Sequence, residues 1–119
     1  RINTQVDCEN TLIVYTKSGG DITISDSIFQ GTSFIGANRI FYIENAKTSL
    51  QLTRNVYGDG FAHVYYMPQV GSLTSDNNCF ESEKSSFKLN GFDFAMVSDW
   101  QRSTNQDINS RIGSCLSLP

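Results

Sequence analysis

Short apolar alternations, broken every few residues by glycine, asparagine or aspartate, run through the whole chain. A period of two favours β-strands over long amphipathic helices, and turn residues between strands favour antiparallel hairpins. The clearest hairpin is Phe87-Lys88-Leu89-Asn90-Gly91-Phe92-Asp93-Phe94. Asn-Gly supplies the two positive-φ positions of a type I′ turn. That turn sets Leu89 opposite Phe92, Phe87 opposite Phe94, and Lys88 opposite Asp93 on the outer face. A second pair is predicted from Ser49 to Val56, bending at Tyr57-Gly58-Asp59-Gly60 and returning through Phe61 to Met67. Arg39-Ile40-Phe41-Tyr42-Ile43-Glu44 and Thr11 to Tyr15 read as further strands, for four or five in all.

Helical signals are fewer. Asp21 is a candidate N-cap for a short helix through Ile22, Ser25, Ile28 and Phe29 that stops at Gly31. Ser98 to Arg111 places Trp100, Gln101, Thr104 and Ile108 at roughly helical spacing, and is either a helix or an irregular loop. Residues 68–86, opened by Pro68 and rich in Ser, Asn and Asp, read as a long surface loop. No internal repeat stands out. The expectation is one α+β domain over residues 1–119, an antiparallel sheet with one main helix, and an all-β sandwich is the alternative.

Charge narrows the partners. The chain of 119 residues carries a net charge of -3. Its basic residues are dispersed, so no linear patch for a phosphate backbone is present. Apolar runs such as Leu12-Ile13-Val14-Tyr15 fall far short of the roughly 20 residues that span a bilayer, and no membrane partner is expected. No positively charged start is followed by an apolar stretch, so a secreted form is expected to be already processed.

The three cysteines, Cys8, Cys79 and Cys115, carry the compartment argument. A Cys8–Cys115 bridge would close a loop of about one hundred residues and remove about 4–5 kcal/mol of unfolded-state entropy. Such a bridge belongs to oxidising compartments and points to secretion. Count alone leaves Cys79 able to join either partner. The terminal pairing is preferred because Ser75-Asp76-Asn77-Asn78 before Cys79 reads as a loop, with Cys79 a half-exposed thiol.

Little chemistry is visible. His63 is the single histidine, the cysteines lack metal-ligand spacing, and no nucleotide-binding motif occurs, so neither metal nor cofactor is expected. Glu44, Arg54 and His63 fall on three successive predicted strands. A carboxylate, a guanidinium and an imidazole are what metal-independent phosphodiester cleavage needs: a base for the 2′-hydroxyl, a stabiliser of the phosphorane charge and an acid for the leaving oxygen. The same residues fit a solvated strand arginine and a half-buried histidine beside Val64.

The order of parts, with Val6-Asp7-Cys8 near the start, Asp21-Ile22 opening a helix, strands in the middle and Cys115 closing the chain, resembles the small fungal guanyl-preferring ribonucleases of the T1 type. It also resembles the ribonuclease-like secreted effectors of cereal powdery mildews. The resemblance implies a ribonuclease T1-like fold. About half of the chain follows His63 and no second histidine precedes Glu44, which favours the effector branch. That branch implies a monomeric, non-catalytic protein, secreted and translocated into a host plant cell. It would bind a host protein and be recognised by an intracellular immune receptor, with RNA a further candidate partner. The expected recognition surface is Tyr57, Asp59, Trp100, Gln101 and Arg102. Two other readings stand beside it. One is an active ribonuclease using Glu44, Arg54 and His63. The other is a carbohydrate-binding or toxin-like β-sandwich module with Tyr42, Tyr57, Tyr65 and Trp100 as stacking platforms.

Overall fold

The computed structural model describes residues 3–6, 12–16, 18–31, 39–58 and 61–115. Among them are eleven strands and one helix. The strands are β1 (Asn3–Val6), β2 (Leu12–Thr16), β3 (Gly20–Ser25), β4 (Ile28–Gly31), β5 (Arg39–Thr53), β6 (Val56–Tyr57), β7 (His63–Asp76) and β8 (Cys79–Phe80). The hairpin β9 (Phe87–Leu89) and β10 (Phe92–Phe94), helix α1 (Val97–Thr104) and β11 (Arg111–Ile112) complete the order. The core is sheet-dominated and the helix packs at one end.

Two sheets run in the orders β1-β4-β6-β8-β11 and β10-β9-β7-β5-β2, with β3 pairing the second half of β5. Every pairing is parallel except β9 with β10. Arg39 pairs with His63, Val56 with Cys79 and Tyr65 with Phe87, 22 to 24 residues apart, and Leu12 with Arg39 and Ile28 with Val56, 27 and 28 residues apart, so the chain returns to the same place at each coil. The result is a stack of coils. The antiparallel sheet expected from the sequence is confined to the hairpin, whose register is the one predicted: Leu89 with Phe92, Lys88 with Asp93, Phe87 with Phe94. Alternation reports which face a residue takes and says nothing of strand direction. β5 and β7 lie parallel where a hairpin was expected, and Asp59 and Gly60 of the predicted turn lie outside the described residues.

Other expectations change for the same reason. The segment 21–29 forms β3 and β4, since Ile22, Thr23, Ile24 and Ile28 are β-branched and lose rotamer freedom in a helix. Residues 68–80, expected as loop, are most of β7 and all of β8. Asn77 and Asn78 sit at a corner, Ser72 on the outer face, and Ser75 turns its hydroxyl inward to Asp107. The predicted helix after Ser98 is real but ends at Thr104, where Asn105 takes a left-handed conformation at φ 60.

A repeated corner explains why the coils stack. Asp26, Arg54 and Asn77 each follow a long strand and each has φ near +55, at 54, 54 and 57. Asp and Asn tolerate that region better than most residues, whereas Arg pays a steric cost. The next residue in each coil, Ser27, Asn55 and Asn78, turns inward and is buried. Asn55 Oδ1 accepts from the Ser27 N–H at 3.0 Å, Asn78 Oδ1 accepts from the Asn55 N–H at 2.9 Å, and Ser110 Oγ accepts from the Asn78 N–H at 2.9 Å. This ladder satisfies backbone groups that burial would otherwise leave unpaired, each worth about 1–3 kcal/mol.

In-register stacking also sets like upon like. Phe29, Tyr57 and Phe80 form one inner column, with ring centres 5.8 and 5.2 Å apart. Phe41, Tyr65 and Phe87 form another, with spacings of 5.8 and 5.2 Å, and Trp100 of α1 stacks on Phe87 at 4.8 Å. Each such pair adds about 0.5–1.5 kcal/mol beyond burial of its area.

The disulfide joins Cys79 to Cys115, with Cα atoms 5.8 Å apart, and not Cys8 to Cys115. Cys8 lies outside the described residues. Arg111 pairs with Cys79, so the chain leaving β11 passes directly over β8. The stretch expected as a mobile loop is the end of β7, at Ser75 and Asp76, and a tight corner at Asn77 and Asn78 that leads straight into buried β8.

Candidate functional site

The coils place one position of β5, β7 and β9 in a row: Tyr42 pairs with Tyr66, and Tyr66 with Lys88. Neighbouring strands are about 4.8 Å apart, so residues at such a position form a continuous strip. Tyr42 and Tyr66 meet at 4.9 Å between ring centres with an interplanar angle of 66°. Arg39, at the start of β5, lays its guanidinium over Tyr66 at 4.1 Å from the ring centre and reaches Tyr42 at 5.6 Å. His63, in register with Arg39, meets Tyr66 edge-on at 4.8 Å. Lys88 stands 6.0 Å from the Tyr66 ring and pairs with Asp93 at 3.3 Å.

All five residues of this strip are half-buried, neither core nor freely solvated. Arg39 Nε and His63 Nδ1 are buried atoms without a hydrogen-bond partner. Burial and then the neighbouring Arg39 charge hold the His63 pKa below its ordinary value of 6.5. His63 is therefore neutral at pH 7, and the fixed positive charges of the strip are Arg39 and Lys88. The arrangement offers aromatic edges and a stacked guanidinium, and is suited to an acceptor-bearing ligand.

The residues predicted from sequence distribute differently. Glu44 pairs with Gln69, five positions along β5 from the Arg39–His63 pair, about 16 Å of extended strand. Arg54 is at the far corner beyond the end of β5, exposed and bound to Asp26 through two hydrogen bonds of 2.7 and 3.0 Å. The trio is not brought together, because parallel strands put the end of β5 beside the end of β7 rather than beside His63.

The expected recognition surface is also corrected. Tyr57 and Trp100 are 1 % and 0 % exposed. Tyr57 OH accepts from Asn55 Nδ2, and Trp100 Nε1 donates to Asp107 at 2.9 Å. Gln101 is half-buried with its amide on the Asp107 carbonyl, while Arg102 is exposed and paired with Asp99. Asp59 lies outside the described residues. Of the proposed sugar platforms, Tyr57, Tyr65 and Trp100 are core and Tyr42 alone belongs to the strip.

Sequence reasoning missed Arg39, Tyr66 and Lys88. The signal was a doublet, an inner aromatic followed by an outer aromatic or cation: Phe41-Tyr42, Tyr65-Tyr66 and Phe87-Lys88. Among the described residues no cluster of His, Cys, Asp and Glu fits a metal ion, and no helix is long and apolar enough to cross a membrane. Compared with protein-family models, with curated proteins and with solved structures, the chain has no match in any of the three.

Proposed function

We propose that this chain is a secreted, non-catalytic binding domain whose strip of Arg39, Tyr42, His63, Tyr66 and Lys88 holds an acidic carbohydrate across the coils. The observation that carries the reading is the placing of two tyrosines, a stacked guanidinium and a half-buried histidine together on one outer face. A carboxylate or sulfate would pair with the Arg39 guanidinium and the Lys88 ammonium, and sugar hydroxyls would meet the tyrosine edges. Two fixed cations on a chain of net charge -3 suit an occasional acidic group better than a polyphosphate backbone. Tyr66 carries Arg39 on its face and stands at 66° to Tyr42, which leaves no pair of parallel rings for nucleobases. The Cys79–Cys115 bridge is compatible with an oxidising compartment.

The ribonuclease-like scaffold and the host immune receptor remain proposals that rest on the resemblance alone. Among the described residues of the surface they imply, Arg102 is the accessible member.

Titration of the isotope-labelled protein with oligogalacturonate, sulfated heparin fragments and oligouridylate tests the reading. Oligogalacturonate or heparin should shift the Tyr42, His63 and Tyr66 signals, and Arg39→Gln should weaken that binding about tenfold or more. Shifts with oligouridylate alone would transfer the site to RNA, and cleavage of that oligonucleotide lost in His63→Gln would restore the ribonuclease reading.

A further inference from the structure

The second half of β7 is an open sheet edge. On one side Ser72 to Asp76 pair with Ser49 to Thr53 of β5. On the other, β9 covers only Tyr65 to Met67. The next coil has no strand there, because the chain departs into the hairpin and α1. The ends of the edge are closed by side chains and by the chain itself. Asn90 Oδ1 accepts from the Val70 N–H at 3.0 Å, Gln106 Oε1 from the Ser75 N–H at 2.8 Å, and Ser75 O from the Asp107 N–H at 2.7 Å. Ser75 thus directs its backbone groups outward, and the two-residue period of a strand directs those of Leu73 the same way.

Leu73 faces a groove of about 580 Å³ between the hairpin and the end of α1. Its walls include Leu89, Phe92, Phe94 and Thr104, and no charged residue lines it. Phe92 is 70 % exposed, an aromatic ring held at the rim without cover. Native sheets blunt exposed edges with charges, prolines or bulges, and residues 71–74, Gly-Ser-Leu-Thr, carry neither charge nor proline.

We infer that this groove binds an extended, uncharged peptide segment of a partner protein, which adds a strand to β7 beside Leu73. The backbone of the guest would exchange hydrogen bonds with the Leu73 N–H and C=O, and an apolar guest side chain would rest on Phe92 and Phe94. The absence of lining charge selects against acidic and basic segments. This site is separate from the tyrosine strip and does not depend on it.

The test uses amide exchange and chemical shifts of the whole protein. The probes are a capped hexapeptide of alternating valine and threonine, the same peptide N-methylated at alternate amides, and neutral cello- and chito-oligosaccharides. In the free protein the Leu73 N–H should exchange at least about tenfold faster than that of Leu50 in β5. The unmodified peptide should shift Leu73, Phe92 and Thr104 and slow the Leu73 exchange, and the N-methylated peptide should do neither. Phe92→Ser, at an exposed position, should weaken binding several-fold without lowering the melting temperature, and Leu73→Pro should abolish it. Slow Leu73 exchange in the free protein, equal binding of the N-methylated peptide, response to the oligosaccharides alone, or Leu73 protection that appears only as the protein self-associates would each overturn the inference.

Discussion

Asp107→Asn is the substitution that most directly probes how the coils are closed. The Asp107 side chain is 0 % exposed. Its Oδ2 accepts from Trp100 Nε1 at 2.9 Å and Tyr65 OH at 3.2 Å, its Oδ1 from Asn78 Nδ2 at 2.9 Å and Ser110 Oγ at 2.7 Å, and Ser75 Oγ lies 3.0 Å from both oxygens. Asparagine has the same shape and tolerates the left-handed backbone, φ 55, found here. The amide nevertheless fails in both orientations. One aims its NH2 at Trp100 Nε1, the other at Asn78 Nδ2. Neither donor can turn away, since indole has one N–H and the Asn78 amide is fixed by accepting the Asn55 N–H. One charge-assisted bond, about 1.5–3 kcal/mol, is lost, and the new NH2 faces either the indole N–H, which has no other acceptor, or the Asn78 amide, which keeps Leu52 O and Ser75 Oγ but is repelled, at a further cost of about 1–3 kcal/mol. The expected cost is about 3–5 kcal/mol, a large part of the roughly 5–15 kcal/mol of a typical domain. Urea unfolding followed by fluorescence of Trp100, the single tryptophan, reads it directly. Ser110→Ala, which removes one donor to Asp107 and also the acceptor of the buried Asn78 N–H, should cost about 2–4 kcal/mol. Stability of Asp107→Asn within about 1 kcal/mol of the parent at unchanged urea slope would show that the network is not formed as described.

Replacing both Cys79 and Cys115 by serine should cost about 4 kcal/mol by the loop-closure estimate for a sequence separation of 36, read as the fall in urea midpoint. Unchanged unfolding in that variant, or mass-spectrometric mapping of a Cys8-containing bridge, would contradict the pairing. Arg54→Asn relieves the positive-φ strain at an exposed corner and should leave the urea midpoint unchanged or raised; a marked fall would give Arg54 a role its place in the fold does not explain. His63 has a depressed pKa, so its unfolded form binds protons more readily than its folded form. Its contribution to stability is complete above pH 6.5 and is lost as pH falls through the folded value, and His63→Gln should flatten stability against pH in that window. An identical pH profile for the two proteins would place His63 in solvent.

Residue type and spacing already determined a good deal of this protein. The two-residue period placed Arg39 to Glu44 and the residues around Tyr15 in strands, and Asn90-Gly91 defined a hairpin register that needs only local turn geometry. A corner motif was also legible and went unread: Ser25-Asp26-Ser27-Ile28-Phe29, Thr53-Arg54-Asn55-Val56-Tyr57 and Asp76-Asn77-Asn78-Cys79-Phe80 repeat one pattern of polar residue, positive φ, inward polar side chain, outer residue and inner aromatic. Strand direction was not legible, because alternation is the same for parallel and antiparallel partners. Direction then decided everything that depends on distance. Parallel coils drew Cys79 to Cys115, buried Tyr57 and Trp100 in aromatic columns, carried Arg54 away from His63 and stacked Arg39, Tyr42, His63, Tyr66 and Lys88 on one face. Those contacts join residues 13 to 36 positions apart, most of them one coil apart, where no local preference of the chain acts and the stacking of one coil on the next selects the neighbour.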